Sequence, residues 1–367
     1  MAKSNRREFL QLADKFKPGK HDPSGMYISE KLDGTRVLWD GGITRGMRTV
    51  DVPWASIYDP KKPGELKKKI KPVATGLWSR YGNPIMAPDS WLNRLPAMPL
   101  DGELFAGRGN FQTLRSIVAK DVADEYAWHN VQFAVFGTPP LSQLLRGGEI
   151  KNNNFVRSLD EQSAQSFAKT KIIESFGDDF MFARHDATFE DEINLLQGSL
   201  PQDDLVYLHR QILLPESRSL AESHMTAFMD VVLSEGGEGV ILRDPKSIWT
   251  PKRVKTLLKL KPFIDDQGVI TGFISGRETD KGSKLRGLIG AVILDYNGKR
   301  LELSGFTDEE RRFADDELTG YAWQHPGEEM PPITRGKHFE VGDTIEFRYR
   351  ELSNDGIPKE ARYLRRV

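Results

Sequence analysis

The feature that most constrains the fold of this sequence is a change of pattern at Pro262. Before it, helix signals alternate with short strands, and an apolar stripe over 225–233 is typical of a helix packed on a core. After it, GVITGFI and GAVILDYNGKRLELSGF alternate like strands, with Asn297-Gly298 suited to a two-residue hairpin turn. The pattern predicts an α+β chain of two domains, residues 1–262 and residues 263–367.

Two further helices are predicted from local signals. Ser158 followed by Glu161 resembles a capping box and opens a helix through Phe176. In the second domain, a helix is expected to begin near Thr307 and to interrupt the strands of a small barrel or sandwich.

Composition excludes several kinds of site. The chain has no cysteine, which removes disulfide scaffolds, thiol nucleophiles and cysteine-ligated zinc. It has no signal-peptide core and no apolar run long enough to span a bilayer, so we expect a cytoplasmic protein without a membrane partner.

Net charge is −1 and favours no partner by itself, but basic residues cluster at 67–71, 252–261 and 362–366. Such a run is usually a solvated face. The insertion at 51–73 and the polar segment 276–287 are each either a DNA-holding loop or an idle surface loop, and the sequence leaves both interpretations open.

Four short segments carry charge at strand ends, where an ordinary strand would carry threonine or valine. They are EKLDGTR (30–36), LDGELF (100–105), GGEGVILRDP (236–245) and LLKLKP (257–262). In the last, Lys259 and Lys261 are two residues apart and share one face of a strand. Taken alone, the pair favours an edge strand protected by lysines.

Together, the charged residues of these four segments suit a site that holds a polyphosphate and its metal ion. Glu103 and Glu238 suit a magnesium ion, which takes one or two carboxylates and keeps its waters. Lys259 and Lys261 suit a polyphosphate, which leaves Lys31 as a nucleophile whose pKa a neighbouring cation or metal would lower. Taken one at a time, each glutamate is equally an exposed residue at a strand end.

These segments resemble motifs of the covalent nucleotidyltransferases, the superfamily of ATP-dependent DNA ligases, RNA ligases and capping enzymes. KLDGTR resembles motif I, SRYGNP (79–84) motif Ia, LDGELF motif III, VQFAVFG (131–137) motif IIIa, GGEGVILRDP motif IV and LLKLKP motif V. Their flanks are similar to the minimal ATP-dependent DNA ligases of phages and bacteria. The resemblance implies an ATP-grasp-like nucleotidyltransferase domain of antiparallel sheets and helices, followed by an OB-fold β-barrel domain.

The resemblance also implies residue roles. Lys31 would be the adenylated nucleophile, and Asp33 and Arg36 would orient the lysine and the sugar-phosphate. Glu103 would contact the ribose and Glu238 the metal, Mg²⁺ or Mn²⁺, while the lysine pair neutralises the α-phosphate of ATP. The remaining expected contacts are adenine stacking on Phe136, with Phe133 less favoured, a base contact at Ser29, and DNA contacts by Arg80, Arg36, Lys359, Arg362 and Arg365.

Two positions depart from the family pattern. Gly137 stands where many relatives have an acidic residue after the aromatic residue of motif IIIa, and KEARYLRR matches motif VI only loosely. The expected activity is sealing of nicks in duplex DNA by a monomer through lysyl-AMP. The alternatives are an RNA ligase, a capping guanylyltransferase, or a non-catalytic nucleic-acid-binding protein of the same fold.

Overall fold

The computed structural model describes residues 10–140 and 186–367, apart from positions 53, 60, 61, 63, 64, 279–281, 283 and 354. The helix predicted over 158–176 lies outside the described residues. The chain divides into two compact units, Met1–Leu260 and Lys261–Val367.

The first unit combines helices with short strands. Its described helices are α1 (Asp89–Leu92), α2 (Phe111–Val118), α3 (Glu125–Trp128), α4 (Phe189–Ser199) and α5 (Arg218–Ser234), with a 3₁₀ turn at Thr49–Asp51. Its strands are β1 (Leu12–Lys15), β2 (Tyr27–Glu30), β3 (Thr35–Asp40), β4 (Leu77–Ser79), β5 (Pro99–Phe105), β6 (Gln132–Gly137), β7 (Val206–Leu208), β8 (Ile212–Leu213), β9 (Val240–Arg243) and β10 (Arg253–Leu260).

These strands form two five-stranded sheets. Sheet 1 has the order β1-β10-β9-β2-β8, and sheet 2 has the order β4-β3-β5-β6-β7. Most pairs are antiparallel as expected, but β1 pairs with β10 and β6 with β7 in parallel. At these two edges, a strand distant in sequence joins the sheet in parallel after intervening helices or loops.

Each sheet is covered on one face by helices whose apolar stripes supply the core. Met225 of α5 lies in the core under sheet 1 with Leu242 and Leu258, as the stripe predicted. On sheet 2, Leu100 and Leu104 pack with Phe133 and the apolar residues of α2 and α4. The chain passes from one sheet to the other between β2 and β3, which is the KLDG segment.

The second unit is built around one five-stranded sheet. Its elements are β11 (Ile264–Ser275), β12 (Ile289–Tyr296), β13 (Lys299–Leu303), α6 (Asp316–Gln324), β14 (Thr344–Tyr349), β15 (Glu351–Leu352), β16 (Pro358–Lys359) and β17 (Arg362–Arg366). The order is β13-β12-β11-β14-β17. A single parallel bridge between Ser304 and Arg362 joins the two end strands, so the sheet curls into an OB-like arrangement.

The hairpin between β12 and β13 turns at Asn297-Gly298 as predicted. Their φ angles of 54° and 75° are both positive, which a two-residue turn of this kind requires and which Asn and Gly accept.

The helix expected near Thr307 begins instead at Asp316. Around Thr307 the side chain of Glu310 accepts a hydrogen bond from the Thr307 N–H at 2.7 Å, which closes a local turn. Asp315 caps the helix by accepting from the Leu318 N–H at 2.8 Å.

No helix within residues 10–140 and 186–367 is long and apolar enough to cross a membrane.

Asp40 ends β3 beside the Gly41-Gly42 turn and is fully buried. Its carboxylate accepts hydrogen bonds from the Thr44 hydroxyl, the Gly42 N–H at 3.0 Å and the Trp78 indole N–H at 2.9 Å. Burial nevertheless raises the pKa of Asp40 from 3.8 to about 6.

We predict that Asp40→Asn changes the pH dependence of stability. Because the pKa of Asp40 is raised in the fold, the unfolded chain loses this proton first, and the wild-type free energy of unfolding falls between about pH 4 and 6. Asparagine does not ionise, so the variant should gain about 3 kcal/mol relative to wild type between pH 4 and 7. Urea unfolding at several pH values measures this difference; a pH-independent difference would contradict it.

Candidate active site

Lys31 lies at the crossing from sheet 1 to sheet 2. Its backbone N–H donates to the Gly239 carbonyl at 2.8 Å, just before β9 begins. Its ammonium contacts the Glu238 carboxylate, and both side chains are partly buried, with 22% and 17% of their surfaces exposed. The backbone bond and the ion pair thus hold Lys31 against the loop that carries Glu238.

Gly34 lets this crossing segment approach β5. A Cβ at Gly34 would lie 2.2 Å from the Leu104 carbonyl oxygen and 2.7 Å from Cγ of Glu103, so no side chain fits. The next residues form β3, in which Arg36 lies opposite Glu103 of β5. The glycine of the DGTR segment therefore allows the approach that brings Glu103 near Lys31.

Glu103 is electrostatically coupled to this crossing. Burial raises the pKa of its carboxyl, while the charges of Lys31 and Arg36 and a hydrogen bond from the Gly34 N–H act in the opposite direction. Asp33 is exposed, and its negative charge raises the pKa of Glu103 further. Glu103 and Glu238 thus both interact with Lys31.

Lys259 belongs to β10 and lies opposite Ile241 of β9 and Lys15 of β1. Burial lowers the pKa of its ammonium, and the nearby charges of Lys31, Arg253, Lys15 and Arg80 lower it further. Lys259 therefore lies among basic side chains, of which Lys31 is one. Lys261 is the first residue of the second unit, where its carbonyl accepts from Nη1 of Arg350 at 3.1 Å.

Arg36 is anchored by a buried carboxylate that the sequence interpretation missed. Its Nε and Nη2 donate to the two oxygens of Asp101, each at 2.7 Å, and Nη2 also donates to the Gln11 carbonyl at 3.3 Å. The indole N–H of Trp249 donates to the same carboxylate at 2.9 Å. A bidentate pair of this kind fixes the plane of a guanidinium. The signal was present, since Asp101 stands two residues before Glu103 and shares its face of β5.

Phe136 and Phe133 differ clearly in position. Phe133 is fully buried in the core of sheet 2, whereas Phe136 is half-buried and its ring centre lies 4.5 Å from Cζ of Arg36. Only Phe136 therefore has an accessible ring near Arg36.

A second buried ion pair supports Phe136 from behind. Nη1 of Arg243 donates to the Phe136 carbonyl at 3.3 Å, its guanidinium stacks on the Phe189 ring at 3.9 Å, and Nη2 lies 3.6 Å from the Glu192 carboxylate. Burial raises the pKa of Glu192 to about 7 even beside this arginine. Glu192 also accepts from the Thr138 N–H at 3.1 Å, next to Gly137. Glu192 carries no motif signal, because it lies on α4 far from these strands in sequence.

Glu30, which precedes Lys31, is tied to the end of α5 through Arg108. This guanidinium donates to both Glu30 oxygens at 2.9 and 2.8 Å and to the Glu235 carboxylate at 2.8 Å. The ends of β2 and α5 are thereby cross-linked next to Lys31 and Glu238.

The other predicted site residues lie on several elements. Ser29 is buried in β2, opposite Ile241. Arg80 follows β4 and lies over the Tyr81 ring at 5.0 Å. In the second unit, Arg362 pairs with Arg348 across β17 and β14, Nε of Arg365 donates to the Glu346 carboxylate at 2.5 Å, and Lys359 ends β16.

No group of three or more histidine, aspartate or glutamate side chains suited to a metal occurs in the part of the chain that the structure describes. A metal held by Glu103 and Glu238 would therefore take its other ligands from water or substrate.

Comparisons with known proteins bear on both units. Residues 282–366 match the DNA ligase OB-like domain family. A DNA ligase of Haemophilus influenzae is 22% identical over 342 residues, covering 93% of this chain and 86% of that protein.

Solved structures agree over nearly the whole chain. One, described as "DNA binding with a minimal scaffold: Structure-function analysis of Lig E DNA ligases", has a TM-score of 0.55, 21% identity and 98% coverage of both chains. Another, Pmar-Lig_Pre, has a TM-score of 0.54 and 18% identity, covering 98% of this chain and 68% of that one. The fold is thus shared with DNA ligases, and the second unit matches an OB-like domain of such enzymes. The predicted resemblance to DNA ligases is confirmed.

We predict that Asp101→Asn destabilises the first unit and disorders Arg36. The substitution leaves a buried guanidinium without its charged partner, which typically costs about 3 kcal/mol. Trp249→Phe, which removes only one hydrogen bond to Asp101, should cost about 1 kcal/mol. Urea unfolding measures the loss in free energy of unfolding for each variant. Equal losses would mean that the Arg36–Asp101 ion pair contributes no more than the single hydrogen bond from Trp249.

Proposed function

We propose that this protein is an ATP-dependent DNA ligase that seals 5′-phosphate/3′-hydroxyl nicks in duplex DNA through a lysyl-AMP intermediate. The observation that carries the proposal is the position of Lys31, tied by its backbone to Gly239 and by its ammonium to Glu238. The fold shared with DNA ligases supports the choice of substrate.

The surroundings of Lys31 suit attack on a phosphate. The ammonium of Lys259 lies nearby. A lysine is a nucleophile only when neutral, so the reaction needs a group that accepts its proton. Glu238 is in contact with Nζ of Lys31 and is placed to take the proton. Arg36, held by Asp101, and Phe136 form one side of a nucleotide pocket in which adenine stacks on the ring.

The donor set fits a magnesium ion, because Glu103 and Glu238 are carboxylates and Mg²⁺ binds one or two of them together with waters and phosphate oxygens. Bound there, it would neutralise charge on the polyphosphate. Lys259 and Lys261 would add positive charge at the α-phosphate, where electrostatic stabilisation contributes most to phosphoryl transfer.

The proposed reaction has three balanced steps. Neutral Lys31 attacks the α-phosphorus of ATP, forms a phosphorus–nitrogen bond, gives up one N–H proton to solvent and releases pyrophosphate. An oxygen of the nick's 5′-phosphate then attacks the AMP phosphorus, and the phosphorus–nitrogen bond breaks as Lys31 takes up a proton and leaves as the amine. Finally, the 3′-hydroxyl attacks that 5′-phosphate, loses its proton and displaces AMP, which seals the strand.

By resemblance, the strand would be held by Arg80 and Arg36 of the first unit and by Lys359, Arg362 and Arg365 of the second. All five side chains are cationic, and contacts between such side chains and backbone phosphates do not depend on the base sequence of the DNA.

We predict that incubation with ATP labelled at the α-phosphate and Mg²⁺ leaves a covalent label on the wild-type protein. Lys31→Ala should abolish it, because no other amine takes that position, whereas Lys252→Ala, which removes an exposed lysine, should retain it. Labelling by GTP instead would favour a capping enzyme, and sealing of nicked RNA but not nicked DNA would favour an RNA ligase. Absence of any label would favour the non-catalytic protein.

We predict that Lys259→Ala lowers the rate of adenylation about 100-fold, because a charge stabilising the transition state is lost. Its affinity for nicked DNA should fall less than threefold. Single-turnover labelling and fluorescence anisotropy measure the two; equal losses would make Lys259 a general phosphate contact.

A further inference from the structure

A cavity of about 570 Å³ lies in the first unit, beside the insertion between β3 and β4. Its lining combines polar and charged residues, Thr49, Ser56, Lys68, Lys69, Lys71, Asn83 and Asp121, with the apolar Ile70, Pro72, Pro84 and Met86. None of these residues belongs to the site around Lys31. The cavity is therefore separate from the candidate active site.

Positive charge in this cavity exceeds the negative charge beside it. Lys68 and Lys69 are exposed and form no ion pair with a carboxylate among the described residues. Lys71 lies 4.0 Å from Asp121, which also lines the cavity, and burial lowers the pKa of the Lys71 ammonium in spite of that neighbour. A bound anion would compensate this excess.

Thr49 supplies a second, independent sign of a ligand. The residue is 2% exposed and lines the cavity, yet its hydroxyl has no hydrogen-bond partner among the described residues. A buried hydroxyl without a partner costs about 1–3 kcal/mol. An anion that reached the Thr49 hydroxyl would accept that hydrogen bond.

The cavity is joined to the active site by one turn. Nζ of Lys67 donates to Ser56 Oγ and to Asn83 Oδ1, both at 2.8 Å. Asn83 closes the turn after β4, where the Ser79 N–H donates to its carbonyl at 2.8 Å. The same turn carries Arg80, whose charge lowers the pKa of Lys259. The turn over 79–83 thus carries both a cavity residue, Asn83, and Arg80.

We propose that this cavity binds backbone phosphates of the DNA strand that reaches the active site, with Lys68 and Lys69 as the cationic contacts and Thr49 as a hydroxyl donor. The proposal rests on the proposed ligase function. Free polyphosphate has the same anionic chemistry, but a cavity joined to Arg80 by one turn suits a polymer that contacts both places at once.

The test is fluorescence anisotropy of a labelled nicked duplex, measured in EDTA so that binding is separated from chemistry. K68A/K69A should bind about tenfold more weakly than wild type at moderate salt. Because each lost phosphate contact reduces the slope of log K against log salt by about 0.9, the slope should fall by about 1.8.

The matched control is K246A/K255A. These two lysines line another cavity of the first unit, of about 470 Å³, where Asp22, Glu216 and Asp244 stand beside them. The control removes the same net charge from the same unit, so its affinity should change less than twofold. An equal loss in both double variants would reduce the effect to net charge and overturn the proposal.

A third variant tests the cavity itself. Thr49→Val removes the hydroxyl with little change in volume, so DNA affinity should fall about threefold while stability to urea stays the same or rises. Unchanged DNA affinity in this variant, or weaker binding of tripolyphosphate but not of DNA in K68A/K69A, would overturn the proposal. Covalent labelling by ATP should stay at the wild-type level in every variant, and its absence in wild type would instead count against the ligase function.

Discussion

The site depends on one steric constraint, the close approach of the KLDG segment to β5. Because Gly34 has no side chain, the backbone can pack directly against the Leu104 carbonyl. The chain then enters β3 in the register that places Arg36 opposite Glu103. Side chains diagonal to each other across two strands can still meet, and Arg36 reaches Asp101 in this way. Lys31 is thereby held between two sheets before any ligand arrives.

Much of the fold could be predicted, because its signals are local. The apolar stripe of α5 and the Asn297-Gly298 turn follow from helical periodicity and from backbone conformations that few residues accept. The parallel pairing of β1 with β10 could not, because nothing near β1 records a partner more than two hundred residues away. The start of α6 was misplaced because Thr307 forms a turn whose side-chain bonding resembles a helix cap.

For the candidate site, the sequence motifs identified the charged residues but not the buried residues that position them. Lys31, Glu103 and Lys259 stand out because charge is unusual at a strand end. Arg243 and Glu192 do not, because a buried ion pair is recognisable only when both members are seen in contact. The support behind Phe136 in the candidate site is therefore a property of the tertiary structure, which spacing along the chain does not record.

The single parallel bridge between Ser304 and Arg362 has a consequence for solution behaviour. An open sheet presents rows of unpaired backbone groups at both end strands, and such rows are templates for aggregation with other chains. Here β13 and β17 approach each other at that bridge, and the Tyr363 N–H donates to the Ser304 carbonyl at 3.1 Å. The curl of the sheet thus pairs part of each edge, and charged residues of the edge strands, Arg362 among them, act against edge-to-edge association in the same direction.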